Sequence, residues 1–179
     1  MNGTLFSYEK IIAIVQILLG LFLLFFTIYN EFVITGDLIE KYGIAWNDIS
    51  LFGIIKRNGI NFTLSIVALL GGFFTLKNNL KGWMLSLVFF ISGGSIIIIR
   101  FTQLLYEGFK YDDNLGMYFI SFVILVFFLI SFYLTRTKFI LKYSPRRNNW
   151  FFILVSVVFF VTVQLILVLE SIIAGMLLP

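Results

Sequence analysis

The sequence predicts an all-α integral membrane protein, a bundle of about five transmembrane helices. Hydrophobic residues make up 60% of the 179 residues, whereas only 12% are charged. Soluble domains are about 45–50% apolar and about 25% charged, so a single soluble core cannot bury this much apolar surface. The apolar residues come in long runs, without the alternation of barrel strands. The length predicts one transmembrane domain over residues 1–179.

Five apolar runs are long enough to cross a hydrocarbon core of about 30 Å as helices. The predicted spans are residues 11–34, 60–76, 83–106, 117–135 and 150–178. The first run is longer than the apolar core of a signal peptide and ends in bulky side chains, which predicts a retained helix. A rival topology has four spans, with the short second run re-entrant.

Two connecting segments differ in composition. Residues 35–59 mix turn-type residues with spaced apolar ones, which favours either a short helix at the outer membrane surface or a loop packed on the bundle. Residues 136–149 hold five basic residues and no acidic one: Arg136, Lys138, Lys142, Arg146 and Arg147. Such a segment either contacts anionic lipid headgroups or docks an acidic cytoplasmic partner.

The distribution of basic residues predicts a cytoplasmic N-terminus and an outer C-terminus. In that orientation eight Lys and Arg residues lie on the cytoplasmic side and four on the outer side, with Arg100 inside a span. The acidic residues agree, because Glu9 is the only one outside the spans that falls on the cytoplasmic side.

Ionisable residues inside spans are candidates for function, because burying them in lipid is costly. The predicted cluster lies near the outer leaflet and consists of Glu31, Arg100, Gln103 and Glu170. Arg100 either pairs with one of the two glutamates, lining a vestibule or locking the bundle, or each side chain extends separately to water. The polar residues predicted at mid-membrane are uncharged: Ser92, Ser95 and Gln164. Proton pumps and voltage sensors need buried charges, so neither is expected.

Small residues mark places where helices approach closely in lipid. They are Ala68, Gly71 and Gly72 in the second span, and Gly93 and Gly94 in the third. Packing between these two spans is the interpretation favoured by this pattern. A dimer seam or a flexible gate is the alternative.

The residue types and motifs of the sequence give little support for a catalytic function. The chain has no Cys and no His, which removes thiol nucleophiles, disulfides and imidazole chemistry. There is no phosphate-binding glycine loop and no nucleophile elbow. We therefore expect no catalytic residue, no cofactor, no metal and no nucleic-acid partner.

These observations favour a small multi-pass protein of a cell membrane, most typical of a bacterial inner membrane. The expected function is a non-catalytic, membrane-embedded subunit. It would self-associate or dock a cytoplasmic partner through the basic segment, with membrane lipid around it. An oligomeric pore or small-solute transporter is the alternative, and an intramembrane enzyme is the least favoured class.

Overall fold

Long apolar runs that contain no proline fold into helices throughout the chain. A computed structural model describes residues 3–43, 51–106 and 114–177, of which 94% are helical and none is in a strand. The helices are α1 (Gly3–Tyr42), α2 (Leu51–Leu76), α3 (Leu80–Tyr106), α4 (Asn114–Leu134), α5 (Thr137–Tyr143) and α6 (Arg147–Leu177). The all-α class is therefore confirmed.

Five of the described helices, all except α5, are long and apolar enough to cross a membrane. Their apolar stretches are Tyr8–Lys41, Asn58–Leu76, Leu80–Gln103, Gly116–Leu134 and Arg147–Glu170. This number indicates a multi-pass membrane protein. The short second run belongs to α2, a continuous helix of 26 residues.

Most of the described part of the segment between the first two predicted spans is helical. Helix α1 continues to Tyr42 and α2 begins at Leu51, so most of residues 35–59 extends the two spanning helices. Only Gly36 interrupts the helix-forming sequence at the end of α1, and one glycine costs a helix only about 1 kcal/mol. Residues 44–50, together with the acidic turn 107–113, lie outside the described residues.

Helix α3 occupies the centre of the bundle. It packs against α2, α4 and α6, whereas α1 makes its main helix contact with α2. The central position of α3 is reflected in its burial: 56% of its apolar stretch is buried. The buried share is only 17% for α4 and 22% for α1 and for α6. Three of these contacts join consecutive helices, and the α3–α6 contact brings the last helix back to the centre.

Both the surface and the interior of the bundle differ from those of a typical soluble protein. Large apolar side chains cover the outside of α1, α4 and α6, with Phe25, Phe122 and Phe159 each at least 60% exposed. Polar side chains are buried beside the apolar core, and Gln16 and Ser92 are completely buried. An apolar surface of this kind is typical of helices that face lipid.

The α2–α3 hairpin depends on a close approach at Gly82. Asn78 adopts a left-handed backbone conformation with φ of 53°, and the Asn79 side chain accepts a hydrogen bond from the Lys81 amide at 2.9 Å. The chain then returns so tightly that a Cβ on Gly82 would overlap the backbone of Phe74 and Thr75. Only glycine fits at this position.

We therefore expect Gly82→Ala to destabilise the bundle. Overpacking against a backbone that cannot move costs about 1–3 kcal/mol, which should lower the melting temperature in detergent measured by size-exclusion chromatography. Gly59→Ala is the matched control, because a Cβ there meets no atom within 4 Å. Equal melting temperatures for the two variants would contradict the tight turn.

Candidate functional site

One end of the bundle gathers most of the basic residues. There the start of α1, the α2–α3 turn and α5 meet, because Lys142 bonds both Glu9 and Asn78. We name this region the basic end. Among the described residues it holds a single carboxylate, that of Glu9, and eight basic side chains, those of Lys10, Lys77, Lys81, Arg136, Lys138, Lys142, Arg146 and Arg147.

The Glu9 carboxylate is the buried charge of this region. Glu9 is only 5% exposed, and a buried carboxylate is costly unless a cation compensates it. The Lys142 ammonium group forms this ion pair and also donates a hydrogen bond to the Asn78 side-chain oxygen at 2.9 Å. Lys142, predicted to contact a partner or lipid, is thus engaged within the chain. No such role was predicted for Glu9, although it is the only acidic residue outside the spans on the predicted cytoplasmic side.

The predicted basic loop contains a short helix packed on the bundle. Phe139 and Tyr143 of α5 are buried, and the Tyr143 ring stacks on Trp83 with 6.0 Å between centroids. Burial raises the pKa of the Tyr143 phenol above its ordinary value, and the negative charge of Glu9 raises it further. The phenol therefore stays neutral at physiological pH. The Trp83 indole N–H donates to the Leu134 carbonyl at 2.8 Å, which satisfies one free carbonyl at the end of α4.

The other four predicted basic residues are also exposed: Arg136, Lys138, Arg146 and Arg147. In the described part of the chain none of the four forms an ion pair. The Arg136 guanidinium lies over two aromatic rings, 5.9 Å from the centroid of Phe132 and 5.6 Å from that of Tyr133. The packed α5 helix therefore holds cationic groups at defined places.

A cleft of about 540 Å³ opens beside Arg136. Its walls come from the start of α1, the end of α4 and α5. The lining residues are Tyr8, Phe132, Tyr133, Thr135, Arg136, Thr137, Lys138 and Phe139. Aromatic side chains, hydroxyl groups and two cations thus surround one space.

Residues of the predicted outer cluster take part in two helix contacts, α3 with α6 and α1 with α2. Arg100 on α3 donates to the Gln103 side-chain oxygen at 2.9 Å, and its guanidinium contacts the Gln164 amide oxygen on α6 at 2.6 and 3.0 Å. Glu31 on α1 instead accepts hydrogen bonds from Asn58 of α2 and from Thr35. Glu170 lies exposed near the end of α6. Gln164, predicted as an independent mid-membrane group, is therefore a partner of Arg100.

The two predicted mid-membrane serines have different environments. Ser95 donates to the Ile91 carbonyl of its own helix at 2.9 Å. The Ser92 hydroxyl is buried without a hydrogen-bond partner among the described residues, as is the side-chain oxygen of Gln16. The Gln16 amide nitrogen donates to the Ala68 carbonyl at 3.1 Å, which joins α1 to α2.

The small residues are used for packing inside the chain. A Cβ on Gly72 would lie 2.7 Å from the Ala13 carbonyl oxygen, and Ala68 lies against Gly20, so both contact α1. Gly71 faces Ser86 of α3 as well as α1. The expected α2–α3 packing thus accounts for only part of this stripe, and α1 is the larger neighbour.

Gly93 and Gly94 make the corresponding close contact between α3 and α4. A Cβ on Gly93 would lie 2.7 Å from the Phe127 ring, and one on Gly94 would lie 3.1 Å from the Phe128 ring. The two glycines therefore accept aromatic rings from α4. Within the described residues, these contacts fill the places where a second chain or a gate would need room.

No known protein family, curated protein or solved structure matches this sequence. Among the described residues, no three Asp or Glu side chains lie close enough together to hold a metal ion. The side chains and their contacts are therefore the basis for the proposed function, and the basic end gathers nine of the charged residues that the structure describes.

The Glu9–Lys142 ion pair can be tested by a double-mutant cycle on thermal stability. Lys142→Met leaves a buried carboxylate uncompensated, so we expect it to destabilise more than Lys138→Met, an exposed control on the same helix. Adding Glu9→Gln to Lys142→Met should recover part of the loss, with a coupling free energy of about 1 kcal/mol. Additive effects of the two substitutions would contradict the pair.

Proposed function

We propose that this chain is a non-catalytic subunit embedded in a cell membrane, which turns its basic end to the cytoplasm and docks an acidic protein there. The observation that carries the proposal is the anchored α5 segment. It holds exposed cations on a packed scaffold, while its fifth cation, Lys142, fastens the scaffold to α1 and the α2–α3 turn.

The orientation follows from the same charges. Basic residues are enriched in the cytoplasmic segments of membrane proteins, and the basic end carries eight of them against one carboxylate among the described residues. This enrichment supports a cytoplasmic start of α1 and an outer end of α6. The positive field attracts acidic surfaces over about 8 Å at physiological ionic strength.

Arg146 and Arg147 are the residues best placed for a protein partner. Arg147 begins α6 and Arg146 directly precedes it; both are exposed and lie outside the cleft next to Arg136. Arginine binds carboxylates through two parallel N–H groups, which gives directional ion pairs across an interface. Because Pro145 and the packed α5 precede them, little conformational entropy is lost when a partner binds.

Self-association belongs to the same proposal, but through surfaces other than those the sequence indicated. The glycine-rich faces of α2 and α3 are filled by α1 and α4. A second copy would therefore pack on the exposed faces of α1, α4 and α6, which carry large aromatic and aliphatic side chains. Dispersion contacts between such faces stabilise helix association in lipid.

A pore or solute transporter is the second candidate. Two completely buried residues with unpartnered polar atoms, Gln16 and Ser92, favour it, because such atoms call for water or a polar solute. Close by, the core is filled by the rings of Phe89, Phe90 and Phe127. Solute flux into proteoliposomes of the purified chain is the direct measurement for this alternative.

The docking proposal is tested by purifying the tagged chain from its native membrane in mild detergent. We expect an acidic protein to co-purify, to dissociate at high salt, and to be lost when Arg146 and Arg147 are both replaced by Gln. The matched control replaces Lys77 and Lys81 by Gln, which removes the same charge from the same end. Equal loss of the partner in both variants, or a chain that purifies alone as a homo-oligomer, would overturn the proposal.

A further inference from the structure

The cleft beside Arg136 has two chemically different sides. Phe132 forms an apolar wall; it is 65% exposed and belongs to the last turns of the apolar stretch of α4. Arg136 and Lys138 follow directly after that stretch and form a cationic rim. The cleft therefore lies where an apolar helix surface changes into a charged one, which is the level of lipid headgroups in a bilayer.

We infer that this cleft binds the phosphate group of an anionic phospholipid from the leaflet around the basic end. A phosphodiester carries the negative charge that the two cations match. The acyl chains attached to it lie against the apolar wall of α4. An acidic protein segment matches the rim but leaves Phe132 without an apolar partner, whereas a phospholipid matches both sides.

The Arg136 guanidinium is held ready for such a ligand. Its position over the rings of Phe132 and Tyr133 restricts the side chain before binding. A guanidinium presents two N–H groups in one plane, which fits two phosphate oxygens. The exposed Thr137 side chain lines the same cleft and provides a hydroxyl donor.

The size of the cleft agrees with a headgroup. Its volume of about 540 Å³ lies within the range of about 300–1,000 Å³ that small-molecule sites occupy. Within the described residues, no carboxylate pairs with Arg136 or Lys138, so an arriving phosphate displaces no internal ion pair. Basic pockets at the cytoplasmic ends of transmembrane helices are places where anionic headgroups bind.

The test uses the full-length chain in neutral detergent, titrated with phosphatidylglycerol or phosphatidylcholine and observed by native mass spectrometry. We expect phosphatidylglycerol to bind and phosphatidylcholine to bind far more weakly. Replacing both Arg136 and Lys138 by Gln should weaken phosphatidylglycerol binding about thirtyfold, equivalent to about 2 kcal/mol, given about 1 kcal/mol for each basic residue.

The control replaces Arg146 and Arg147 by Gln, which removes the same charge outside the cleft and should leave lipid affinity unchanged. Arg136→Lys keeps the charge but loses the planar N–H pair, so it should bind with intermediate affinity. It also serves as the test variant if the double replacement does not fold. Equal weakening by the two double variants would overturn the inference, since attraction would then be spread over the whole basic end.

Competition separates the lipid from other anions. Neither inorganic phosphate nor a polyglutamate peptide should displace phosphatidylglycerol, because neither has acyl chains to contact Phe132. Displacement by phosphate would assign the cleft to a free anion, and displacement by the peptide would assign it to an acidic protein. The lipid site does not depend on the proposed partner, whose docking is tested through Arg146 and Arg147.

Discussion

A carboxylate buried at the end of an apolar helix needs a cation to compensate its charge. At the basic end, Lys142 provides this cation for Glu9. Lys142 lies far from Glu9 in sequence, so its ion pair closes the chain back on its first helix. The additional hydrogen bond to Asn78 includes the α2–α3 turn in the same junction. Because α5 is fixed in this way, the remaining basic side chains of the segment have defined positions.

The long apolar helices are subject to a second constraint, which concerns the hydrogen bonds of their buried polar groups. Lipid offers no hydrogen bonds, so a buried polar side chain needs a partner within the protein. Ser95 bonds a carbonyl of its own helix, whereas Gln16 bonds across a helix contact to the Ala68 carbonyl. Small residues allow that approach, and Gly72 lies against the backbone of α1. The result is a chain of helix contacts in which α3 is central and large apolar side chains face outward.

Apolar run lengths were sufficient to predict five helices long enough to cross a membrane, because that length is a direct physical requirement of the bilayer. The ends of the helices were harder to predict from the sequence. The turn-type residues after Thr35 favoured a break, yet α1 continues to Tyr42 since helix propagation is cooperative once a long helix exists. Periodicity places Ala68 and Gly72 on one helix face, but it does not say that α1 rather than α3 covers that face.

Side-chain partners were the hardest to predict. The pairing of Arg100 with a glutamate stays a prediction, whereas its contact with the neutral amide of Gln164, which the helix register places opposite it, was not predicted. Lys142 looked the same as its basic neighbours in sequence. The packing of α5, through Phe139 and Tyr143, brings the Lys142 ammonium group to the buried Glu9 carboxylate.

The most direct test of the account is the side of the membrane on which the basic end lies. The chain contains no Cys, so single cysteines can be introduced at two exposed positions, Glu40 near the end of α1 and Asn148 at the start of α6, and labelled in intact cells with an impermeant maleimide. The account predicts that Glu40→Cys reacts at once and that Asn148→Cys reacts only after the membrane is permeabilised. Reaction of both cysteines from the same side, or the reverse pattern, would contradict a spanning α1 or a cytoplasmic basic end.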